Sequence, residues 1–186
     1  MTTERIIDIQ RRVGTFLDGR WGTQSIAATK EYLLSLMPSP NPWPKSDQAS
    51  LRAFYGEPGD VSQLTAIDVE GLGVIFQNEP VTSVRVHSKC AESLLEILRE
   101  LQTVRPDMLA KYDGVFEPRP VRGSSVWSLH AWGAAIDLDA RHNGERVPWP
   151  IDATMPLEVM EVFARHGWLC AGAAWGRDAM HFQATR

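Results

Sequence analysis

The chain has 186 residues, 44% apolar and 23% charged, which excludes fibrous and wholly disordered classes and leaves room for one domain with a short appendage. Lys plus Arg number 19 against 23 Asp plus Glu, a net charge of −4, and there is no basic tract, so broad nucleic-acid binding through phosphate neutralisation is disfavoured. Cys90 and Cys170 are too few for a disulfide framework and lack C-x-x-C spacing; they read as small buried hydrophobes. No stretch approaches the roughly 18 apolar residues of a membrane span. The N-terminus MTTERIIDIQRRVG scatters charges where a signal peptide would carry an apolar run, so synthesis in the cytoplasm without a Sec-type address is expected.

From Thr3 to about Met37 the apolar residues recur at helical spacing, first Ile6, Ile9, Val13 and Phe16, then Ile26, Thr29, Leu33 and Leu36. Leu17-Asp18-Gly19-Arg20-Trp21-Gly22 interrupts them with an Asp-Gly turn, and Thr23 can cap a second helix, so a helical hairpin is expected over 1–37. As a helix-turn-helix it would lack arginine or lysine at the start of its second helix. Residues 38–45 form a proline-rich linker in which Pro38, Pro40, Pro42 and Pro44 alternate, forbidding helix and favouring an extended spacer before a domain at 46–186. Beyond it come a weak helix over 46–55, a short strand over 72–76 and an alternating strand over 81–86. A wide-faced helix over 90–104 follows, closed by Pro106, and a last helix over 156–166 has proline in its first turn. The fold class expected is α+β, a small antiparallel sheet flanked by helices.

Five of the seven tryptophans and four of the five histidines lie between residues 127 and 181. In Ala135-Ile136-Asp137-Leu138-Asp139, strand alternation turns Ile136 and Leu138 to the core and Asp137 and Asp139 away from it. Gly133, Ala134 and Ala135 permit a tight turn that can fold His130 back beside Asp137. Downstream, Met180 and Phe182 flank His181 as core residues, and Asp178 precedes it by three. Should His130, Asp137 and His181 meet, they form the two-histidine, one-carboxylate set used for catalytic zinc. The H-E-x-x-H signature is absent, so such a site would be of another architecture. Asp139 reads as a solvated or loop-capping residue and, being close to Asp137, as a poor alternative ligand, and His87, His142 and His166 as surface, cap or supporting residues. Trp127, Trp149 and Trp168 read as core. Trp132 and Trp175 sit beside the ligand candidates and are expected either in the core or in a cleft wall that binds substrate.

Two resemblances add to this reading. Ile9-Gln10-Arg11-Arg12-Val13 with Asp18-Gly19-Arg20-Trp21-Gly22-Thr23-Gln24-Ser25-Ile26-Ala27-Ala28 resembles a short peptidoglycan-binding repeat, and a hairpin that merely packs on the main domain is the other reading. Ser128-x-His130-x-x-Gly133-x-Ala135-x-Asp137, then Gly167-Trp168, then Asp178-x-Met180-His181-Phe182 resembles the zinc peptidase family of D-alanyl-D-alanine carboxypeptidases and phage lysin L-alanyl-D-glutamate endopeptidases, whose core fold is shared with hedgehog domains. The resemblance covers about residues 80–186. It implies His130, Asp137 and His181 as Zn2+ ligands, Asp178 as the catalytic carboxylate, Ser128 near the substrate backbone, and an arginine, Arg119 in preference to Arg122, on the substrate carbonyl or a peptide carboxylate. Relatives carry Trp-Gly-Gly-x-Trp where this chain has Leu169-Cys170-Ala171-Gly172-Ala173-Ala174-Trp175. The implied function is a zinc-dependent peptidoglycan peptidase acting on the bacterial cell wall as a monomer, a lysin-type endopeptidase in preference to a carboxypeptidase. The alternative is a non-catalytic wall-binding or virion structural protein that keeps the zinc fold.

Overall fold

A computed structural model describes residues 3–186. Among these residues three antiparallel sheets are flanked by helices, an α+β architecture. The helical hairpin is α1 (Thr3–Val13) and α2 (Thr23–Leu36), followed by α3 (Gln48–Tyr55). Strands β1 (Leu64–Asp68) and β4 (Ser83–His87) form one two-stranded sheet, and β2 (Ile75–Phe76) and β3 (Glu79–Pro80) another. Next come α4 (Ala91–Val104) and the short α5 (Pro106–Leu109). The third sheet has the order β5-β6-β8-β7, from β5 (Tyr112–Gly114), β6 (Ala135–Leu138), β7 (Leu169–Cys170) and β8 (His181–Gln183). Its connections carry α6 (Ala140–Asn143), α7 (Leu157–Arg165) and α8 (Ala171–Trp175).

Helix α7 is the hub. Seven of its nine residues, Leu157 and Val159 to Ala164, are buried, the pattern of a helix enclosed on all sides. It packs against α2, α4 and β7. Phe163 stacks on Phe182 of β8 with ring centroids 3.9 Å apart and meets Trp168 edge-on at 5.9 Å. The strand that carries His181 is thereby fixed to the core. On α4 the face of Leu94, Ile97, Leu98 and Leu101 is buried, as its spacing predicts, and the helix stops before Arg105-Pro106, where α5 starts with proline at its first position.

Local differences from the sequence expectation have local causes. Within the 72–76 run the strand is confined to Ile75 and Phe76, because Gly71 and Gly73 adopt positive φ and turn the chain before it; a second turn with Gln77 at φ 51° and Asn78 at φ 69° closes the β2–β3 hairpin. Helix α2 is capped by Gly22 rather than Thr23, the extended Gly22 giving its carbonyl to Ile26 N at 3.0 Å. Its buried stripe is Ser25, Thr29 and Leu33, leaving Ile26 exposed; Phe16 lies past the end of α1 and is 72% exposed.

Gln10, buried in α1, organises the hairpin turn. Its Nε2 donates to Asp18 Oδ1 (2.8 Å), the Arg20 carbonyl (3.0 Å) and Ser25 Oγ (3.0 Å), and its Oε1 accepts from Gly19 N (3.0 Å). The Gln and Asp-Gly positions of the repeat-like motif thus serve each other. The hairpin docks on the rest of the chain: Arg12 makes a forked ion pair with Glu161 of α7 (2.8 and 2.9 Å), Tyr32 donates to the same carboxylate (2.8 Å), and Arg5 donates to the carbonyls of Ala153 and Met155. The proline run, expected as a spacer, does not stand free. Trp43 is buried, donates Nε1 to the His166 carbonyl (2.9 Å) and meets Trp168 edge-on, while Asn41 Nδ2 donates to the Gly167 carbonyl (2.9 Å).

Candidate metal centre

Antiparallel pairing of β6 with β8 sets Asp137 directly opposite His181 and Ile136 opposite Phe182. Ile136 and Phe182 are fully buried on the core face, so the Asp137–His181 pair lies on the other face of the sheet. His130 arrives from a 3-10 turn, Leu129–Trp132, in which the Ser128 side chain accepts from the His130 amide. The turn ends at Gly133 in left-handed conformation (φ 66°, ψ 28°). Glycine is needed there twice over, because a Cβ would also come within 2.9 Å of the His87 backbone nitrogen.

Three ligand-type atoms converge. His130 Nε2 lies 3.2 Å from Asp137 Oδ1, His181 Nδ1 lies 3.0 Å from the same oxygen, and the two nitrogens are 3.1 Å apart. Both imidazoles are oriented from behind. His130 Nδ1 faces the Val115 carbonyl at 2.8 Å, an acceptor only, so it carries the ring proton. Gln183 Nε2 donates to Thr185 Oγ1 (2.6 Å), turning its Oε1 to His181 Nε2 (3.1 Å), which therefore donates. Two nitrogen lone pairs and a carboxylate oxygen then point at one another, an arrangement that calls for a cation between them. Tetrahedral zinc with bonds of about 2.0–2.1 Å holds its ligand atoms about 3.3 Å apart, close to the spacings found. The residues fit the metal.

The electrostatics agree. Burial works against ionisation of Asp137, yet in the metal-free site a proton taken up by the imidazoles stands where a cation would, and its hydrogen bond and charge hold the carboxyl far below the usual range. Burial likewise opposes charge on His181, but the bond and charge of Asp137, with the charge of Asp178, raise it above the ordinary histidine value. The site attracts positive charge. Asp178, in left-handed conformation (φ 60°), is pushed up chiefly by burial and partly held back by His181, and its Oδ1 is buried with no hydrogen-bond partner.

A cavity of about 570 Å³ opens over these groups, lined by His130, Asp137, His181 and Asp178 together with Ser128, Arg119, Arg122 and Trp175. Trp175 is 51% exposed and lies nearly parallel to the His181 ring at 6.2 Å. Arg119 is tied to Glu117, Nε to Oε2 at 2.8 Å. Trp132, considered for the cleft wall, is not part of it: the turn that delivers His130 buries the indole, which donates to the Gly56 carbonyl at 2.8 Å. Met180, expected in the core, lines the cavity, since β8 begins only at His181 and strand alternation does not extend back to it.

Asp139 is neither solvated nor a ligand. It is buried at φ 52° and held by His142 Nδ1 (2.6 Å) and Lys111 Nζ (3.2 Å). His87 is a cap, its Nδ1 accepting from Lys89 N, and His166 pairs with Glu96 and Glu100. Burial pushes both cysteine thiols up to about 12. Sequence reasoning missed Gln183 and the Val115 carbonyl as the groups that orient the imidazoles; Gln183, two residues after His181 on the same strand face, was the legible signal. It also passed over Arg177 and Glu145, which line the cavity.

No helix among the described residues is long and apolar enough to cross a membrane. No curated protein and no solved structure matches the chain. Residues 122–184, about a third of the chain, match a family model described as D-alanyl-D-alanine carboxypeptidase. That stretch contains His130, Asp137, Asp178 and His181, and the match supports the zinc peptidase family that the sequence resembles.

Proposed function

We propose that the protein is a zinc-dependent peptidase that hydrolyses an amide bond in the stem peptide of bacterial peptidoglycan. The observation that carries this reading is the pairing of two features in one cavity: three converging ligand-type groups with both imidazole tautomers fixed, and a carboxylate, Asp178, with an oxygen that no described residue uses. A purely structural zinc site would be closed by a fourth protein ligand, whereas this set of three leaves a position open.

His130, Asp137 and His181 would hold zinc, which would supply Lewis acidity toward the scissile carbonyl. Asp178 takes a proton from the attacking water as the carbon–oxygen bond forms and returns it to the departing amine as the carbon–nitrogen bond breaks. Burial suits it to this exchange by making the protonated form easier to reach. Ser128 and Arg119 hold the peptide, Arg119 kept in place by Glu117, and Trp175 forms a side wall. A lysin-type endopeptidase is favoured over a D,D-carboxypeptidase because a hairpin resembling a wall-binding repeat is docked on the same core.

The test is release of peptide amines from purified sacculi. The Asp178→Asn protein should keep its zinc and lose roughly 10²–10⁴-fold in turnover, while His181→Ala should lose both zinc and turnover. Wild-type turnover by folded, zinc-depleted His181→Ala would overturn the reading. Sacculus binding unaffected by Asp178→Asn, with no turnover by either form, would favour the non-catalytic wall-binding protein.

A further inference from the structure

Asp178 must meet the attacking water, yet its Oδ1 is buried without a hydrogen-bond partner, so the place of that oxygen is set by the backbone that carries it. That backbone is left-handed at Gly176 (φ 75°) and at Asp178 (φ 60°), and a neighbouring loop pins it. Trp149 N donates to the Gly176 carbonyl (2.9 Å), Pro148 bridges Arg177, and Met180 N donates to the Asn143 carbonyl (3.1 Å). The 143–155 loop is closed on itself. Asn143 Oδ1 accepts from Thr154 N (2.8 Å) and Met155 N (2.6 Å), and Trp149 Nε1 donates to the Met155 carbonyl (2.8 Å).

The N-terminal hairpin grips this loop from its other side. Arg5 of α1 donates to the carbonyls of Ala153 (2.8 Å) and Met155 (3.0 Å). Trp21, in the hairpin turn, meets the buried Trp149 edge-on, with ring centroids 5.4 Å apart and planes at 87°. Its backbone is fixed on both sides, since the Arg20 carbonyl accepts from Gln10 Nε2 and Gly22 caps α2. Helix α2 also packs on α8, which ends at Trp175. A continuous set of contacts thus leads from the hairpin to the residue that handles the proton, and a shift of about 1 Å in such a group can cost about 10²-fold in rate.

We propose that Arg5 and Trp21 are positioning residues for Asp178, acting from the hairpin through the 143–155 loop. The proposal rests on the peptidase reading above for what Asp178 does once in place. It is tested on full-length Trp21→Ala and Arg5→Met, each made alone and in the Asp178→Asn background, with Trp21→Phe as the conservative variant. Zinc-loaded protein gives kcat and KM on a soluble stem peptide, and competition with a chelator gives zinc affinity. Zinc-free protein gives amide hydrogen exchange, which reports local opening without any turnover.

Trp21→Ala and Arg5→Met should each lower kcat roughly 10–100-fold, with KM and zinc affinity nearly unchanged. Neither should lower the residual rate of Asp178→Asn any further, because a residue that acts through Asp178 has nothing left to act on. Trp21→Phe, which keeps a ring against Trp149, should recover most of the loss. In the zinc-free protein the Trp149 amide and the amides of 176–181 should exchange faster in both variants, while those of β1 and β4 keep their protection. A loss that persists in full in the Asp178→Asn background, or that is matched by a fall in zinc affinity, would mean a merely structural role and overturns the proposal. Unchanged exchange over 176–181, or unchanged kcat beside wild-type turnover, overturns it too and leaves the peptidase reading standing. Faster exchange with no wild-type turnover would overturn that reading and leave the link from hairpin to Asp178 in place.

Discussion

Each imidazole of the centre owes its usefulness to a partner on its far side. His181 is held in its metal-ready tautomer by Gln183, and Gln183 by Thr185. Such supporting bonds commonly carry 10–100-fold in metal affinity. Gln183→Leu should therefore weaken zinc binding by about that factor, measured by competition with a chromophoric chelator, while Gln183→Glu, which still accepts from His181 Nε2, should retain it. Equal affinity in Gln183→Leu and wild type would show that packing alone orients the ring. The three converging groups were legible because each lies in a short motif of fixed local geometry: a capped 3-10 turn and glycine before β6 for His130 and Asp137, a turn into β8 for His181. The environment of Asp139 was not legible, since Lys111, which helps to bury its charge, comes from a distant turn.

At the scale of elements, the site depends on a close approach between the Gly133 turn and β4. Gly133 accepts from His87 N at 2.9 Å, and a methyl group added at Gly133 meets that same nitrogen. Gly133→Ala should cost about 2–3 kcal/mol, combining left-handed strain with a backbone clash that no side-chain rotation relieves. Urea titration should show a lower midpoint with an unchanged slope, and zinc affinity should fall with it because His130 rides on the turn. A midpoint within error of wild type would mean that β4 yields. The alternation of 135–139 announced β6, and the apolar face of 90–104 announced α4. Strand β1, by contrast, is a five-residue run with a single buried side chain, Ile67, and its identity comes from pairing with β4. The β6–β8 pairing that joins Asp137 to His181 was equally hidden, because α6, α7, β7 and α8 lie between the two strands in sequence.

Across the whole molecule, one apolar core runs from Ile9 to Ala184 and takes in Leu33 of the hairpin and Trp43 of the proline run. The hairpin was visible in its periodicity and its Asp-Gly turn, but its docking was not, since Arg12 and Glu161 are far apart in sequence and neither signals the other. The Glu161 side chain is only 4% exposed, so its charge relies on Arg12 and Tyr32. Arg12→Ala should cost about 1–2 kcal/mol, below the full penalty for breaking a buried pair because Arg12 is itself 59% exposed. Glu161→Gln should cost less, since it removes the charge along with the need to pair it; the reverse order in denaturant unfolding would place the stabilisation elsewhere. A metal at the centre would reach the same core through Asp137 on β6 and His181 on β8, strands that pack on α7 and hence on the hairpin. A ligand that binds only the folded chain stabilises all of it, by about 2.7 kcal/mol at free zinc a hundredfold above its Kd. For a chain of this size that raises Tm by roughly 5–10 °C. Chelation should reverse the shift, and His181→Ala should show none of it in either condition. Equal Tm for wild type with zinc and with chelator would mean that the converging ligand atoms do not hold the metal.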